Sequence, residues 1–202
     1  VASSIFGLSV GCAAFAAGGV SCWTLTNRND GFWTMGQFYR EAMTDRASDV
    51  SVYDNTVCVV TEARRVRCWY LPLPAPFAQS PNVRYVLPSI EGALQVVVGR
   101  NHQIWVRVLS GKLLYVRSIE YPADGPRDVY PNVEEIQGLA GVVDFDVASG
   151  YPSYLCSVHV DGRIRCSYNA PDTLVREPAQ YEQYFGVDGA TLAVDISLSG
   201  SW

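Results

Sequence analysis

Histidine is almost missing from this sequence: His102 and His159 are the only two among 202 residues. A Ser/His/Asp or Cys/His engine would have to use one of them, so hydrolytic catalysis is not expected. No glycine-rich phosphate loop leads into a helical stretch, which leaves nucleotide chemistry without an anchor, and no cofactor is expected. A basic excess is also lacking. Fifteen basic residues stand against twenty acidic ones, a net charge of -5, which removes the positive field that nucleic-acid binding needs. The longest apolar stretches, such as 10–20 with its glycines, fall short of the roughly 20 residues that span a bilayer, so no membrane insertion is expected. No Asn-x-Ser/Thr glycosylation acceptor occurs. What remains is 49% hydrophobic and 17% charged, the balance of a folded core. The sequence opens on Val1 rather than methionine, as a processed or excised chain would.

The six cysteines form a pattern. Cys12 and Cys22, Cys58 and Cys68, and Cys156 and Cys166 are each ten positions apart. Turn signals lie between them, at Ala17-Gly18-Gly19, Glu62-Ala63-Arg64 and Asp161-Gly162, and the flanks are strand-like, as in Cys58-Val59-Val60-Thr61. Two strands folded back at such a turn would set the cysteines opposite one another, at the separation a disulfide requires. The spacing therefore predicts three hairpin staples and an oxidising compartment. Buried free thiols are the alternative. A zinc site fits poorly, because there is no Cys-x-x-Cys and the pairs are far apart in sequence.

Aligned on the first cysteine, the whole chain repeats. Cys12 leads to Cys58, then to Trp105, Cys156 and Trp202, at intervals of 46, 47, 51 and 46 residues. In the third unit Trp105 and Tyr115 keep the ten-residue offset of a cysteine pair. A period of 40 to 50 residues with several short strands per unit is that of a β-propeller. The expected fold is all-β: one propeller over residues 1–202 with four-stranded blades. Its repeats run approximately 1–46, 47–92, 93–143 and 144–192, with a fifth inner strand within 193–202. Inner strands are expected at Asp49-Val50-Ser51-Val52, Gln95-Val96-Val97-Val98, Asp146-Val147-Ala148-Ser149 and Asp195-Ile196-Ser197-Leu198. Outer strands are expected around Phe38-Tyr39-Arg40, Arg84-Tyr85-Val86, Asp128-Val129-Tyr130 and Gln183-Tyr184-Phe185. Helical spacing is weak, with only 36–45 and 134–139 as short helix candidates.

Val20-Ser21-Cys22-Trp23, Val66-Arg67-Cys68-Trp69 and Ile164-Arg165-Cys166-Ser167 resemble the repeats of the regulator of chromosome condensation superfamily. The cysteine-paired subtype of extracellular domains, such as those of crinkly-type plant receptor kinases, is the most similar. Thr24-Leu25 and Tyr70-Leu71 stand where glycine and asparagine usually follow Cys-Trp, and the third unit lacks cysteine. The resemblance implies a ring of about seven blades, about 330 residues at this period. Four units are then a piece of a longer polypeptide, a chain whose open edges pair with a neighbour, or a small closed ring.

The connections from first to second and from third to fourth strand share one face of a propeller, which here receives the longer segments 27–33, 71–77, 121–126 and 169–178. Loops on a rigid scaffold carry binding, and aromatic residues and arginine are its usual anchors. Phe32, Trp33, Arg100, His102 and Tyr151 are accordingly the candidate ligand-binding residues, with blade-edge packing as the competing role for the aromatics. Pro72, Pro74 and Pro76 read as a stiff link between blades. Asp144 and Asp146 alternate along a strand, but no third acid accompanies them, and no catalytic or metal-binding residue is assigned. Arg64, Arg65 and Arg67, echoed by Arg163 and Arg165, make either a solvated face or a patch for an anionic glycan or acidic partner. The expected function is a secreted, extracellular, non-enzymatic recognition or assembly module binding protein or carbohydrate. Alternatives are a structural subunit that self-assembles through its terminal strands and a secreted carbohydrate-active enzyme.

Overall fold

A computed structural model describes residues 2–5, 8–15, 18–27, 33–41, 46–71, 84–87, 90–116, 132–137, 139–148, 154–168 and 196. These form fifteen strands in four antiparallel sheets, each an up-and-down meander in chain order. Blade one is β1 (Ala2–Ile5), β2 (Leu8–Ala14), β3 (Val20–Asn27) and β4 (Trp33–Glu41). Blade two is β5 (Ala47–Tyr53), β6 (Thr56–Thr61), β7 (Val66–Tyr70) and β8 (Arg84–Leu87). Blade three is β9 (Ala93–Val98), β10 (Ile104–Val108), β11 (Leu113–Val116) and β12 (Val133–Glu135). The described strands of blade four are β13 (Val142–Ala148), β14 (Tyr154–His159) and β15 (Ile164–Tyr168). This is the blade architecture of a β-propeller.

Two sequence expectations are corrected. Residues 36–41 of the first helix candidate belong to β4, paired to β3 with Trp23 opposite Phe38; cross-strand pairing outweighs a weak helical spacing. The second candidate begins inside β12, which pairs Glu134 with Tyr115 and is thus the outer strand of blade three. The triplet 128–130, expected in that role, lies outside the described residues, as does 183–185.

The staples form as the spacing predicts. Cys12 lies directly opposite Cys22, Cys58 opposite Cys68, and Cys156 opposite Cys166. All three pairs are disulfides with Cα separations of 4.0, 4.1 and 4.0 Å, and no cysteine is free. In blade three Trp105 opposes Tyr115 at the same place in the ladder, their rings 4.6 Å apart. An aromatic pair thus fills the position of a sulfur bridge.

Each blade packs on the next. Cys12, Cys22 and Val10 meet Val57, Val59 and Trp69 between blades one and two. Cys58, Val60 and Cys68 meet Val96, Val98 and Val106 between blades two and three, and Trp105 and Tyr115 meet Phe145, Val147 and Leu155 between three and four. A middle strand therefore has apolar neighbours on both faces, which is why β6 reads Thr-Val-Cys-Val-Val-Thr without polar alternation and is buried along its whole length.

Backbone contacts between blades recur at one period. The Asp49 carboxylate accepts from Val96 N at 2.8 Å, Gln95 Nε2 donates to Phe145 O at 3.0 Å, and the Asp144 carboxylate accepts from Ile196 N at 2.7 Å. By ladder register, Asp49, Gln95 and Asp144 are the same position of successive inner strands. Asp144 thus ties blade four to Ile196, the one described residue of the expected fifth inner strand. Asp146 caps the amide of Val147 at 2.7 Å, so both of these carboxylates have backbone tasks.

The hairpin between the second and third strands of each blade is a three-residue loop whose last residue has positive φ. Gly18, Gly111 and Gly162 fill this position in blades one, three and four (φ 90°, 72° and 75°), while blade two places Arg64 there (φ 58°). A Cβ on Gly111 would also lie 3.1 Å from the Gly141 Cα of blade four. Gly111→Ala is expected to cost about 2 kcal/mol from the left-handed backbone, with a further loss from blade separation. Denaturant unfolding measures it, and a cost below about 0.5 kcal/mol would contradict the close approach.

Candidate recognition site

The first-to-second-strand connections of blades two and three meet on one face of the molecule. In blade two β5 passes to β6 through Asp54-Asn55, and Asp54 adopts positive φ (54°), a conformation that aspartate tolerates better than most residues. In blade three β9 passes to β10 through a single 3₁₀ turn, Arg100–His102. His102 also has positive φ (58°). Its Nδ1 shares a 2.5 Å hydrogen bond with the Thr56 hydroxyl of blade two. Its ring stands edge-on to buried Tyr70, with centroids 5.2 Å apart. Burial holds the His102 pKa below its usual value, so the ring is neutral and works as a packed, hydrogen-bonded post. That post fixes the turn, and the turn presents Arg100, which is exposed.

Arg100 faces two half-buried groups of the neighbouring blade. Burial raises the Tyr53 hydroxyl, and the Asp54 carboxylate adds to that effect while Arg100 opposes it. Burial pushes Asp54 up to about 6, again opposed by Arg100. A guanidinium, a phenol and a carboxyl group that titrates near neutrality therefore share the rim between two blades. The folded pKa of Asp54 lies above its unfolded value. Its stabilising contribution is complete below the unfolded pKa and is lost as pH rises through about 6. Neutral His102 and His159, both lowered mainly by burial, act oppositely, losing stability as pH falls below the ordinary histidine range. Comparison of variant and parent isolates the carboxylate. Asp54→Asn, which suits the left-handed backbone, is expected to melt higher than the parent at pH 7.5, with the gap closing by about pH 4.5. Equal gaps at both pH values would remove the burial argument.

Of the residues expected to bind, the fold brings Arg100 and His102 together and gives them unequal tasks. Trp33 starts β4 opposite Asn27, at the same end of blade one as the first-to-second-strand connections. Phe32 and Tyr151 lie outside the described residues, as does the proline segment 72–76. Tyr53, Asp54 and Thr56 were not singled out by sequence reasoning. The Asp54-Asn55 turn signal marks them as a loop, and Thr56 precedes His102 by one period of 46 residues. Among the described residues no three His, Cys, Asp or Glu side chains converge as a metal site, and no helix is long and apolar enough to cross a membrane.

Comparison with solved structures defines the class. The chain is similar to Prp20p of Saccharomyces cerevisiae, the yeast RCC1, whose structure is described together with its binding to Gsp1p and histones. That match has 14% identity and a TM-score of 0.50, and covers 79% of this chain and 41% of that one. The chain is also similar to human WBSCR16, at 12% identity and a TM-score of 0.50, covering 82% of this chain and 46% of that one. The fold is the RCC1-like β-propeller, in a disulfide-stapled form. The match spans less than half the length of either neighbour. No family model matches the chain, and no curated protein does so.

Proposed function

We propose that this chain is a non-enzymatic protein-binding module of an oxidising, extracellular setting, and that its partner is held on the face carrying Arg100, Tyr53 and Asp54. The observation that carries the reading is the Arg100–His102 turn. A neutral, half-buried histidine in a left-handed conformation is anchored to the adjacent blade by Thr56 and Tyr70, and the exposed product of that arrangement is one arginine beside a tyrosine. Arginine and tyrosine are the residue types that dominate binding energy at protein interfaces, and a preorganised turn lowers the ordering cost of association. The RCC1-like fold supports protein binding as a use of the scaffold, and three disulfides support the compartment.

The test is affinity capture from a secreted or periplasmic fraction followed by titration of the identified partner. Arg100→Ala combined with Tyr53→Phe keeps the half-buried ring of Tyr53 and is expected to weaken binding at least about ten-fold, a loss of about 1.4 kcal/mol. A partner indifferent to both changes, or a glycan array with saturable hits and no protein partner, would overturn the reading.

A further inference from the structure

The opposite face is formed by the second-to-third-strand hairpins, and it carries a second, differently composed surface. Among the described residues the most exposed large apolar side chains include Leu109 (58%) and Val160 (75%), at equivalent tip positions of blades three and four. The backbone makes their neighbourhood continuous with the tip of blade two. Arg64 O accepts from Ala93 N at 3.0 Å, and the preceding residue, Gly92, accepts from Leu109 N at 2.8 Å. Gly111 O accepts from Val142 N at 3.0 Å, and the preceding Gly141 accepts from Val160 N at 2.9 Å. Arg64, Leu109 and Val160 therefore lie in sequence along one arc, locked in relative position by main-chain bonds rather than by flexible side chains.

The charges along this arc are unequal in availability. Arg46 pairs with Glu62 at 4.0 Å, Lys112 with Glu135 at 2.9 Å, and Arg163 with Asp161 at 3.7 Å. Arg64 and Arg65 are both exposed, and neither guanidinium has a carboxylate partner among the described residues; nearby Glu91 is the exposed acid without an ion pair. Arg64 carries a second distinction. It holds the left-handed position that glycine fills in the other three blades, so the chain keeps a cation where the backbone favours glycine.

We propose that Arg64, Arg65, Leu109 and Val160 form a docking surface for an acidic protein segment with an apolar residue between its carboxylates. The unpaired arginines supply the charge complementarity, and the two tip residues supply an apolar centre of the kind that protein interfaces use. A phospholipid bilayer fits less well, because Asp161 and Glu62 sit on the same tips and would face its anionic headgroups. This surface is separate from the Arg100 face, and either can fail without the other.

The experiment uses the oxidised full chain to pan a random peptide display library, with an Arg64→Glu/Arg65→Glu variant for counter-selection. Enriched sequences are expected to carry Asp or Glu flanking Leu, Phe or Trp. Synthetic peptides of that sequence should bind at least about ten-fold more weakly to Leu109→Ser/Val160→Ser and to Arg64→Gly. Arg64→Gly adopts the backbone that position requires, so its melting temperature should be unchanged or higher, and its loss of binding cannot be ascribed to misfolding. Arg100→Ala should bind the peptides as the parent does. No enrichment, a consensus without acidic residues, or peptide affinity indifferent to Arg64→Gly would overturn the proposal. So would sedimentation of the chain with phosphatidylserine-containing vesicles in a manner abolished by Arg64→Glu/Arg65→Glu.

Discussion

Reduction of the three disulfides is expected to unfold this chain at 37 °C. Each bridge closes a loop of ten residues, a constraint worth about 2 to 3 kcal/mol on the chain-entropy account. Together they supply roughly 6 to 9 kcal/mol, against a total stability of about 5 to 15 kcal/mol for a typical domain. Two of the bridges also sit inside the packing between blades, with Cys12 and Cys22 against blade two and Cys58 and Cys68 against blade three. Reduction there separates sulfurs in the layers that hold neighbouring sheets together. Circular dichroism with and without a thiol reductant, paired with alkylation and intact mass, measures the effect. The oxidised chain should be six hydrogens lighter than the reduced one, in keeping with its six cysteines. A reduced, fully alkylated chain that kept its β signal and its melting temperature would show that blade packing alone suffices.

Trp105→Ala should be the most damaging single substitution in the described core, costing about 3 to 5 kcal/mol. Trp105 has no solvent exposure and packs between blades three and four with Phe145, Leu155 and Leu139. It also forms the ring pair with Tyr115 that replaces a disulfide, so its truncation leaves blade three with neither staple nor stack. Among the described residues its indole N–H has no hydrogen-bond partner. An unmet buried donor is itself a cost, and Trp105→Phe, which removes the donor and keeps a ring, is therefore expected to lie within about 1 kcal/mol of the parent. Trp105→Cys with Tyr115→Cys should form a fourth bridge, because the two positions face each other as the cysteines do in the other blades. Denaturant unfolding of the three variants gives the order. If Trp105→Phe proved as costly as Trp105→Ala, the indole would owe its value to a polar contact rather than to volume. If the double cysteine variant stayed reduced under air, the equivalence of the blades would be wrong.

The proposed pairing of functions with opposite faces also rests on the repeat. The connections around Arg100 and the tips around Arg64 lie at opposite ends of the same strands, so substitutions on one face leave the other as an internal control.

Much of this architecture could be read along the chain. A cysteine and its mate ten residues later, with a turn between them, specify a hairpin and its register by local geometry alone. The same offset in Trp105 and Tyr115 identified the third blade without a cysteine. Where two short patterns competed, as strand against helix at 36–41, the partner strand β3 decided. Nothing in the segment itself says that β3 lies beside it.

The recognition site was only half legible, because its parts come from different blades. Arg100 and His102 lie two residues apart in sequence and were candidates as loop residues on a rigid scaffold. Tyr53, Asp54 and Thr56 join them across an interface, 46 residues from His102 in the case of Thr56, and the same near-period separation links Asp49 to Val96 and Ser51 to Val98. The linear order of residues settled whatever depends on pairing within one hairpin, since backbone ladders and sulfur bridges form between segments a few residues apart. Only the stacking of blades decided which loops share a rim, which arginine meets a carboxylate and which stays solvated. Those outcomes depend on the twist and spacing of whole sheets, quantities that belong to no single stretch of chain.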